Sequence, residues 1–145
     1  MRASVAMTRE IVVVAPAVSV SAAARMMKRL HVRHLPVVVG GRLVGIVSDR
    51  DLLARRGEGA PATCGEAMTP APITCPPDAS VGRVAALMLE HTIDCVPIVV
   101  DGALVGLVTS SDLLGLLVER DRAQGLPFDF RLRMSASDGA LEATA

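Results

Sequence analysis

Apolar and polar residues follow one another with two different periods in the first third of the chain. Between Val20 and Leu30 the apolar positions return about every 3.6 residues, which predicts a helix with one buried face. Ser19 stands directly before this segment and is a suitable N-cap, because its hydroxyl can accept a hydrogen bond from a free amide of the first turn. Two apolar runs follow, at 36–39 and 43–48, on either side of a Gly-Gly pair. They predict two buried strands joined by a tight turn.

The same succession of segments occurs twice. Residues 7–53 align without a gap on residues 68–114, and 18 of the 47 aligned pairs are identical. Chance would match roughly a tenth of the pairs in a chain of this composition. Each copy predicts the order β-α-β-β-α, with a short extended segment at 11–14 or 73–75 as its first strand. Because so small a unit buries little surface alone, we expect an α/β (α+β) fold in which the two copies pack sheet to sheet about a pseudo-twofold axis.

The repeat also sets the expected domain boundaries. The first repeat, the second repeat and a C-terminal tail are expected at 1–60, 61–120 and 121–145, with a linker at 57–64. Within the tail, residues 126–134 alternate and carry both phenylalanines, so we expect an edge strand there or a clamp on a partner. Residues 135–145 are expected to be disordered.

Composition narrows the classes of protein that fit. The 15 basic residues equal the 15 acidic ones, which argues against a dedicated nucleic-acid binder. There is no Trp or Tyr and there are only two Phe, so stacking platforms for bases or sugars are not expected. The three cysteines form no CxxC pair, and His31, His34 and His91 form no metal pattern, so we expect neither a metal site nor a disulfide framework.

The location that we expect is the cytoplasm. Reduced thiols fit that compartment, and the N-terminus lacks the regions of a signal peptide. The longest apolar stretch, 11–24, is interrupted by a proline and two serines, and it is too short for a membrane span.

A polar motif follows the second strand of each copy: Ser48-x-x-Asp51 in the first and Thr109-x-x-Asp112 in the second. A Ser or Thr followed three residues later by an acid is a capping box, in which the two residues satisfy free amides at the start of a helix. Such a pair needs no ligand. The same residue types can bind one, because a carboxylate can accept both hydroxyl protons of a diol. The motif alone leaves both interpretations open.

Together with His34-Leu-Pro36 and Cys95-Val-Pro97, these motifs resemble those of the cystathionine β-synthase (CBS) domain family. The resemblance covers about residues 6–120, and two such domains in tandem form a Bateman module. It implies that the Asp of each motif accepts the ribose hydroxyls of an adenosine-type ligand, while the Ser or Thr contacts polar groups of the ligand. The nearby helix N-terminus would favour an anionic ligand.

The resemblance also implies two pockets in the cleft between the copies. In each, one copy supplies the motif and the other supplies its extended segment and the residues before its strand proline. The first pocket would contain Leu107, Thr109, Ser111 and Asp112 together with Val12, Val32, Arg33 and His34. The second would contain Ile46, Ser48, Arg50 and Asp51 together with Ile73, Ile93 and Asp94.

The two pockets differ at the position three residues before the strand proline, which often contacts phosphate in this family. Arg33 occupies it in the first copy and can hold phosphate oxygens by paired hydrogen bonds. Asp94 occupies it in the second copy and would repel them. We therefore expect the pocket with Arg33 to be the better nucleotide site. The pocket with Asp94 is expected to be empty or to take an uncharged or cationic adenosyl ligand.

The function expected from sequence is a non-catalytic, energy-sensing regulatory module. The chain has no nucleophile–base pair and no phosphate loop, so we expect no enzyme activity and no cofactor. The expected ligand is AMP, ADP, ATP or S-adenosylmethionine, and the expected partners are a second copy in a homodimer and a separate effector protein. The alternative is a dimerisation or interaction scaffold with degenerate pockets. Whether Mg²⁺ accompanies the ligand stays open.

Overall fold

The computed structural model describes residues 1–53, 57–123, 131–134 and 141–144. The chain forms two compact units, Met1–Leu113 and Leu114–Ala145. In the first repeat the elements are α1 (Ala3–Ala6), α2 (Val20–Leu30), β1 (His34–Val39), β2 (Arg42–Ser48) and α3 (Asp49–Leu53). In the second repeat they are α4 (Cys64–Ala67), β3 (Thr69–Pro70), α5 (Val81–His91), β4 (Cys95–Val100), β5 (Ala103–Thr109) and α6 (Ser110–Ala123).

The main helix of each repeat begins and ends at equivalent positions. Ser19 caps α2 by accepting a hydrogen bond from Ala22 N at 3.1 Å, and Ser80 caps α5 by accepting one from Arg83 N at 3.0 Å. Both helices end at a residue in the left-handed conformation, His31 with φ 55° and Thr92 with φ 52°. The predicted N-caps are confirmed, and the helices follow the predicted periods.

Each repeat contributes one antiparallel hairpin, β1–β2 and β4–β5. Both hairpins turn over two residues with positive φ, Gly40-Gly41 and Asp101-Gly102, which is the backbone that a tight hairpin turn requires. The strand order is β1-β2-β5-β4, with β3 paired to β2. The hairpins meet at the single pair Arg42↔Ala103, whose members are equivalent in the two repeats. The mixed α+β fold is confirmed.

The extended segments at the start of each repeat are shorter than predicted. Each makes one parallel bridge, Val14↔Val37 in the first repeat and Cys75↔Ile98 in the second, instead of a full strand. Two backbone hydrogen bonds hold each bridge. Val14 N donates to Pro36 O at 3.0 Å and Val38 N donates to Val14 O at 2.9 Å, while Cys75 N donates to Pro97 O at 3.1 Å and Val99 N donates to Cys75 O at 3.0 Å. The prolines themselves donate no hydrogen bond, which limits how far such pairing can extend.

The two repeats exchange their leading helices. Ala3 of α1 lies in the core of the second repeat, with Val84, Val96, Ile98 and Val108 among its neighbours. Conversely, Cys64 of α4 lies in the core of the first repeat, which also contains Ala23, Leu35, Val37 and Val47. The exchange is symmetric at the backbone too, since Val20 N donates to Ala62 O and Val81 N donates to Met1 O. Each core is therefore completed by the other repeat.

This exchange involves only the last two residues of the predicted linker, and residues 57–62 form no helix or strand. Residues 57–64 were expected to be a linker, but Thr63 caps α4 with a hydrogen bond that its Oγ1 accepts from Glu66 N at 3.3 Å. Cys64 opens that helix and is fully buried. The apolar thiol side chain gains more by burial in the neighbouring core than a solvent-exposed linker would allow.

In the unit Leu114–Ala145, β6 (Arg131–Met134) pairs antiparallel with β7 (Leu141–Thr144) in a separate two-stranded sheet. β6 lies within 126–134, for which an edge strand or a clamp on a partner was expected, and that role stays a prediction. Residues 141–144 form its partner, although disorder was expected for 135–145. The pairing supplies partners for backbone groups that a single exposed strand would leave to water. Residues 126–130, 135–140 and 145 lie outside the described residues.

Candidate functional site

Both polar motifs form reciprocal capping boxes. Ser48 N donates to Asp51 Oδ2 at 2.8 Å, while Asp51 N donates to Ser48 Oγ at 3.1 Å. Thr109 N donates to Asp112 Oδ2 at 2.8 Å, and Asp112 N donates to Thr109 Oγ1 at 3.3 Å. The structural interpretation of the motif therefore holds in each repeat.

The capping boxes do not use up the hydrogen-bonding capacity of these side chains. A carboxylate offers about four lone-pair sites, and the cap uses one of them. The hydroxyl accepts from the cap and keeps its own O–H to donate. All four side chains are partly buried rather than fully covered. Capping and ligand binding are therefore compatible at both motifs, and the cap fixes the side chains in one orientation before a ligand arrives.

Cavity 1, with a volume of about 290 Å³, brings together residues from both repeats. All eight residues predicted for the first pocket line it: Val12, Val32, Arg33, His34, Leu107, Thr109, Ser111 and Asp112. Sequence reasoning missed four others, which are Thr8, Glu10, Ile11 and His31. His31, expected simply at the surface, is exposed and also lines this cavity.

Thr8 reaches cavity 1 because its backbone pairs with the second repeat. Thr8 N donates to Leu107 O at 2.8 Å, and Leu107 N donates to Thr8 O at 3.1 Å. The identity of Thr8 with Thr69 in the repeat alignment was a signal that could have found it, because Thr69 lines cavity 2 in the same way. Glu10 carried no such signal, since its equivalent is Ala71.

Cavity 2, with a volume of about 230 Å³, is the equivalent space on the other side. Six of the seven residues predicted for the second pocket line it: Ile46, Ser48, Arg50, Asp51, Ile93 and Asp94. Ile73 does not; it packs against the core of the second repeat. The remaining lining residues are Arg33, His34, Asp49, Thr69, Thr92 and Cys95.

The two cavities share part of one wall, because Arg33 and His34 line both. Asp94 holds the two residues from the opposite repeat: its Oδ1 lies 2.8 Å from His34 Nε2, and its Oδ2 lies 3.8 Å from Arg33 Nη2. The Arg33 guanidinium therefore does not belong to one cavity alone. This changes the predicted contrast between the pockets, in which Arg33 and Asp94 were assigned to separate sites.

The net charge of the lining residues differs less between the two cavities than the sequence predicted. Cavity 1 sets Glu10 and Asp112 against Arg33, with His31 and His34 beside them. Cavity 2 contains three carboxylates, from Asp49, Asp51 and Asp94, and two guanidiniums, from Arg33 and Arg50. With neutral histidines both sets sum to one negative charge. What differs is the larger volume and the more aliphatic lining of cavity 1, to which Ile11, Val12, Val32 and Leu107 contribute.

Cys95 in the wall of cavity 2 is buried, and it occupies the position equivalent to His34. Burial, together with the nearby carboxylates of Asp94 and Asp112, raises the pKa of this thiol far above its ordinary value. The thiol is therefore protonated at neutral pH and contributes a small apolar surface. Burial also raises the pKa values of Cys64 and Cys75.

A third cavity, wider and about 440 Å³ in volume, lies between α2 and α3 of the first repeat alone. Its floor is aliphatic, with Val20, Met27 and Leu52 among the lining residues. It contains neither Ser/Thr-x-x-Asp motif. Within the part of the chain that the structure describes, no three His, Cys, Asp or Glu residues cluster as metal ligands, and no helix has the length and apolar character needed to cross a membrane.

The fold is thus a pair of duplicated α+β units with equivalent cavities between them. Residues 3–58 and 64–119 each match the family model described as the CBS domain. The chain therefore belongs to the CBS domain family and contains two such domains in tandem.

Three relatives illustrate the range of the family. The inosine-5'-monophosphate dehydrogenase of Korarchaeum cryptofilum is 35% identical over 113 residues, which are 77% of this chain and 23% of that enzyme. The chain thus spans about a quarter of that relative's length, and the similarity is confined to its CBS part.

The other two relatives are solved structures with adenosine-type ligands. The CBS domain pair of protein MJ0100, in complex with 5'-methylthioadenosine and S-adenosyl-L-methionine, aligns with a TM-score of 0.74 and 31% identity, covering 81% of this chain and 99% of that one. CBSX2 in complex with AMP aligns with a TM-score of 0.75 and 29% identity, covering 83% of this chain and 98% of that one.

Proposed function

We propose that the chain is a regulatory module that binds an adenosine-type ligand in cavity 1 and passes the binding event to a partner. One observation carries the proposal: the carboxylate of Asp112, held in place by its capping box, lines the same cavity as Arg33 and the aliphatic side chains of the other repeat. The cavity thus offers acceptors for a diol, an apolar slot and a cation, which are the groups that a nucleotide requires.

The ligand would lie across the junction between the repeats. Asp112 would accept the two ribose hydroxyls, because its cap leaves lone pairs free, and Thr109 would donate its O–H to a polar atom of the ligand. The base would lie among Val12, Val32 and Leu107, where its apolar faces leave water. A 5' phosphate would pair with Arg33, by hydrogen bonds that the planar guanidinium can make in pairs.

The ligands named in the two related structures support this class of compound. AMP carries a phosphate, S-adenosylmethionine carries a positive charge, and 5'-methylthioadenosine carries neither, so the adenosine part is common to all three. Cavity 1 contains both Glu10 and Arg33, and charged groups of either sign would find a counter-charge there. The proposal therefore names the adenosyl class and leaves the 5' substituent to experiment.

A ligand that contacts both repeats would stabilise the arrangement in which the two repeats close on it. Since binding shifts an equilibrium only by differential affinity, the regulated step would be the relative position of the repeats. We propose that the module acts as a cytoplasmic homodimer with a separate effector protein. Exposed apolar side chains on equivalent helices, such as Leu30 on α2 and Leu89 on α5, are suited to cover each other in such a dimer.

The alternative is an interaction scaffold with degenerate pockets. One observation favours it: both Ser/Thr-x-x-Asp motifs are fully explained as capping boxes, which stabilise a helix whether or not a ligand is present. The alternative predicts that replacing either aspartate weakens folding but changes no binding affinity, because no ligand binds.

Isothermal titration of AMP, ATP and S-adenosylmethionine into the full chain separates the two functions. Asp112→Asn is the test variant and Asp51→Asn is its matched control, because both replace the acid of an equivalent capping box and retain one amide oxygen as an acceptor. We expect Asp112→Asn to weaken the affinity of the best ligand about tenfold or more, the worth of hydrogen bonds to a charged group. Asp51→Asn should change that affinity little.

The outcomes are distinct. If no adenosyl compound binds the wild-type protein, the scaffold interpretation replaces the proposed function. If Asp51→Asn weakens binding and Asp112→Asn does not, the ligand lies in cavity 2 and the assignment to cavity 1 is wrong. Melting temperatures of both variants, measured without ligand, report the common cost of the altered cap.

A further inference from the structure

One acidic residue of the second repeat holds two adjacent residues of the first. Asp94 uses both of its oxygens for this, Oδ1 at 2.8 Å from His34 Nε2 and Oδ2 at 3.8 Å from Arg33 Nη2. Asp94 and Arg33 are equivalent positions in the repeat alignment, so they meet near the pseudo-twofold axis. Because the second repeat has an aspartate at the position where the first has an arginine, the two residues form an ion pair across the axis.

This ion pair stands between the two cavities. Arg33 and His34 line both cavities, whereas Asp94 lines cavity 2 and is absent from the lining of cavity 1. Among the described residues that line cavity 1, Arg33 is the only Lys or Arg. A phosphate in cavity 1 and the carboxylate of Asp94 would consequently compete for the same guanidinium.

The ion pair is weak enough to be exchanged. The Arg33 and Asp94 side chains are 62% and 45% exposed, and exposed ion pairs contribute little to stability. The backbones on either side are fixed, because Asp49 N donates to Arg33 O at 2.9 Å and Ser110 N donates to Asp94 O at 2.9 Å. Only side chains need to move, and Asp94 can release Arg33 while it keeps His34, whose side chain is 11% exposed.

We infer that Asp94 is a built-in competitor that sets how strongly cavity 1 prefers phosphate-bearing ligands over neutral ones; this inference rests on the proposed function of cavity 1. An AMP phosphate must displace the Asp94 carboxylate from Arg33, and adenosine has no such competition. Asp94 is therefore a specificity-determining residue that acts on the ligand through Arg33 and not by direct contact.

The same exchange couples the two cavities. When a phosphate in cavity 1 takes Arg33, the Asp94 carboxylate in the wall of cavity 2 loses its guanidinium partner. Cavity 2 then becomes more favourable for a cationic adenosyl ligand and less favourable for a second anion. Since coupling between binding sites is reciprocal, a cationic ligand in cavity 2 would in turn raise the affinity of AMP for cavity 1.

A double-mutant cycle tests the inference. AMP and adenosine are titrated by calorimetry into the wild-type chain, Asp94→Asn, Arg33→Ala and the double variant. We expect Asp94→Asn to strengthen AMP binding about two- to five-fold, the range of an exposed ion pair, and to leave adenosine binding unchanged. In the Arg33→Ala background, Asp94→Asn should not raise the affinity for AMP further, because the guanidinium for which the phosphate and Asp94 compete is absent.

Three results would overturn the inference. A gain in AMP affinity that persists in the Arg33→Ala background would show a general field effect of the charge instead of competition. An equal gain for adenosine would show a change in the shape of the cavity. No gain at all in AMP affinity, with wild-type binding intact, would refute the competition and leave the proposed function standing.

Absence of binding by both AMP and adenosine to the wild-type protein would refute the inference, and absence of binding by ATP and S-adenosylmethionine as well would refute the proposed function with it. If Asp94→Asn does not fold, Asp94→Ala removes the same carboxylate and carries the same expectation.

Discussion

The two repeats have equivalent backbone structures and differ in side chains that line the cavities between them. Helices α2 and α5 begin after a serine cap and end at a left-handed residue, and both hairpins carry an irregularity at the same place, between Val37 and Val38 or between Ile98 and Val99. The features that recur are those that fix the chain's path. They give the two repeats matching backbones, in which each repeat completes the core of the other.

Two of the differences lie where the repeats face each other. Glu10 faces cavity 1 while its equivalent is Ala71, and Arg33 has Asp94 as its equivalent across the axis. A twofold axis brings equivalent residues near it into contact with each other, so a charge reversal there yields an ion pair instead of two separate pockets. The comparison teaches that a difference between repeats cannot be assigned to one cavity until the residue's distance from the axis is known.

The largest expected effect tests whether the repeats fold as one unit. Ile98 is fully buried in the core of the second repeat, and Ile98→Ala should cost about 2–5 kcal/mol of unfolding free energy. Because Ala3 and Cys64 each complete the other repeat's core, we expect the loss to destabilise both repeats together. Urea unfolding with pulsed thiol labelling measures this, since Cys64 reports the first core and Cys75 the second.

Equal midpoints for Cys64 and Cys75 labelling in Ile98→Ala would support a single cooperative unit. Leu35→Ala, which empties the first core, is the matched variant and should shift both midpoints as well. If Cys75 became reactive at a lower urea concentration than Cys64 in Ile98→Ala, the two repeats would be separate folding units despite the exchanged helices.

The sequence predicted the parts of the fold that have local causes. A helical period, a serine cap and a two-residue turn act within a few positions, so α2, α5 and both hairpins were found. The exchange of α1 and α4 was not, because a four-residue helix has no period to detect and its partner lies in the other repeat. Cys64 was assigned to a linker for the same reason.

The candidate site was predictable to the same extent. Eight of the twelve residues that line cavity 1 followed from the motifs and the family resemblance, and Thr8, Glu10, Ile11 and His31 did not. Ile73 was misplaced because alignment alone cannot say whether an apolar residue faces a cavity or the core behind it. The pairing of Asp94 with Arg33 and His34 depends on side-chain reach across the axis, which no residue pattern encodes.

A second, smaller effect would sharpen the comparison at two equivalent glycines. A Cβ added at Gly45 would meet the Met68 Sδ and lie 3.0 Å from the backbone oxygen of Thr69, and one added at Gly106 would meet the Met7 Sδ and lie 3.0 Å from the Met7 Cβ. A flexible methionine sulfur can move aside, but a backbone oxygen or a Cβ moves only with the backbone. We expect Gly45→Ala and Gly106→Ala each to cost about 1–3 kcal/mol, as overpacked sites do.

Companion substitutions make this test specific. Met7→Ala should relieve part of the cost of Gly106→Ala, because it removes Sδ and Cγ but keeps the Cβ at 3.0 Å. Met68→Ala should likewise relieve Gly45→Ala in part, because the Thr69 carbonyl oxygen at 3.0 Å remains. Chemical denaturation of the four variants and the two methionine controls gives the coupling energies. Complete relief in either pair would contradict the expectation, because it would show that the atom left at 3.0 Å is no obstacle.

The smallest expected effect concerns features that should not differ between the repeats. Ser19 and Ser80 accept hydrogen bonds of nearly equal length from the amides three residues on, at 3.1 and 3.0 Å. Ser19→Ala and Ser80→Ala should each cost about 1 kcal/mol, the usual worth of an N-cap, and Ser→Asp at either position should restore most of it. Thermal and urea unfolding measure the stability of both pairs of variants.

A difference between the two alanine variants larger than about 0.5 kcal/mol, beyond the usual error of additivity, would mean that one cap also serves the leading helix of the other repeat. The backbone of each serine bridges to the neighbouring repeat at equivalent residues, Thr63 and Arg2, so any such contribution should be symmetric and leave the two costs equal.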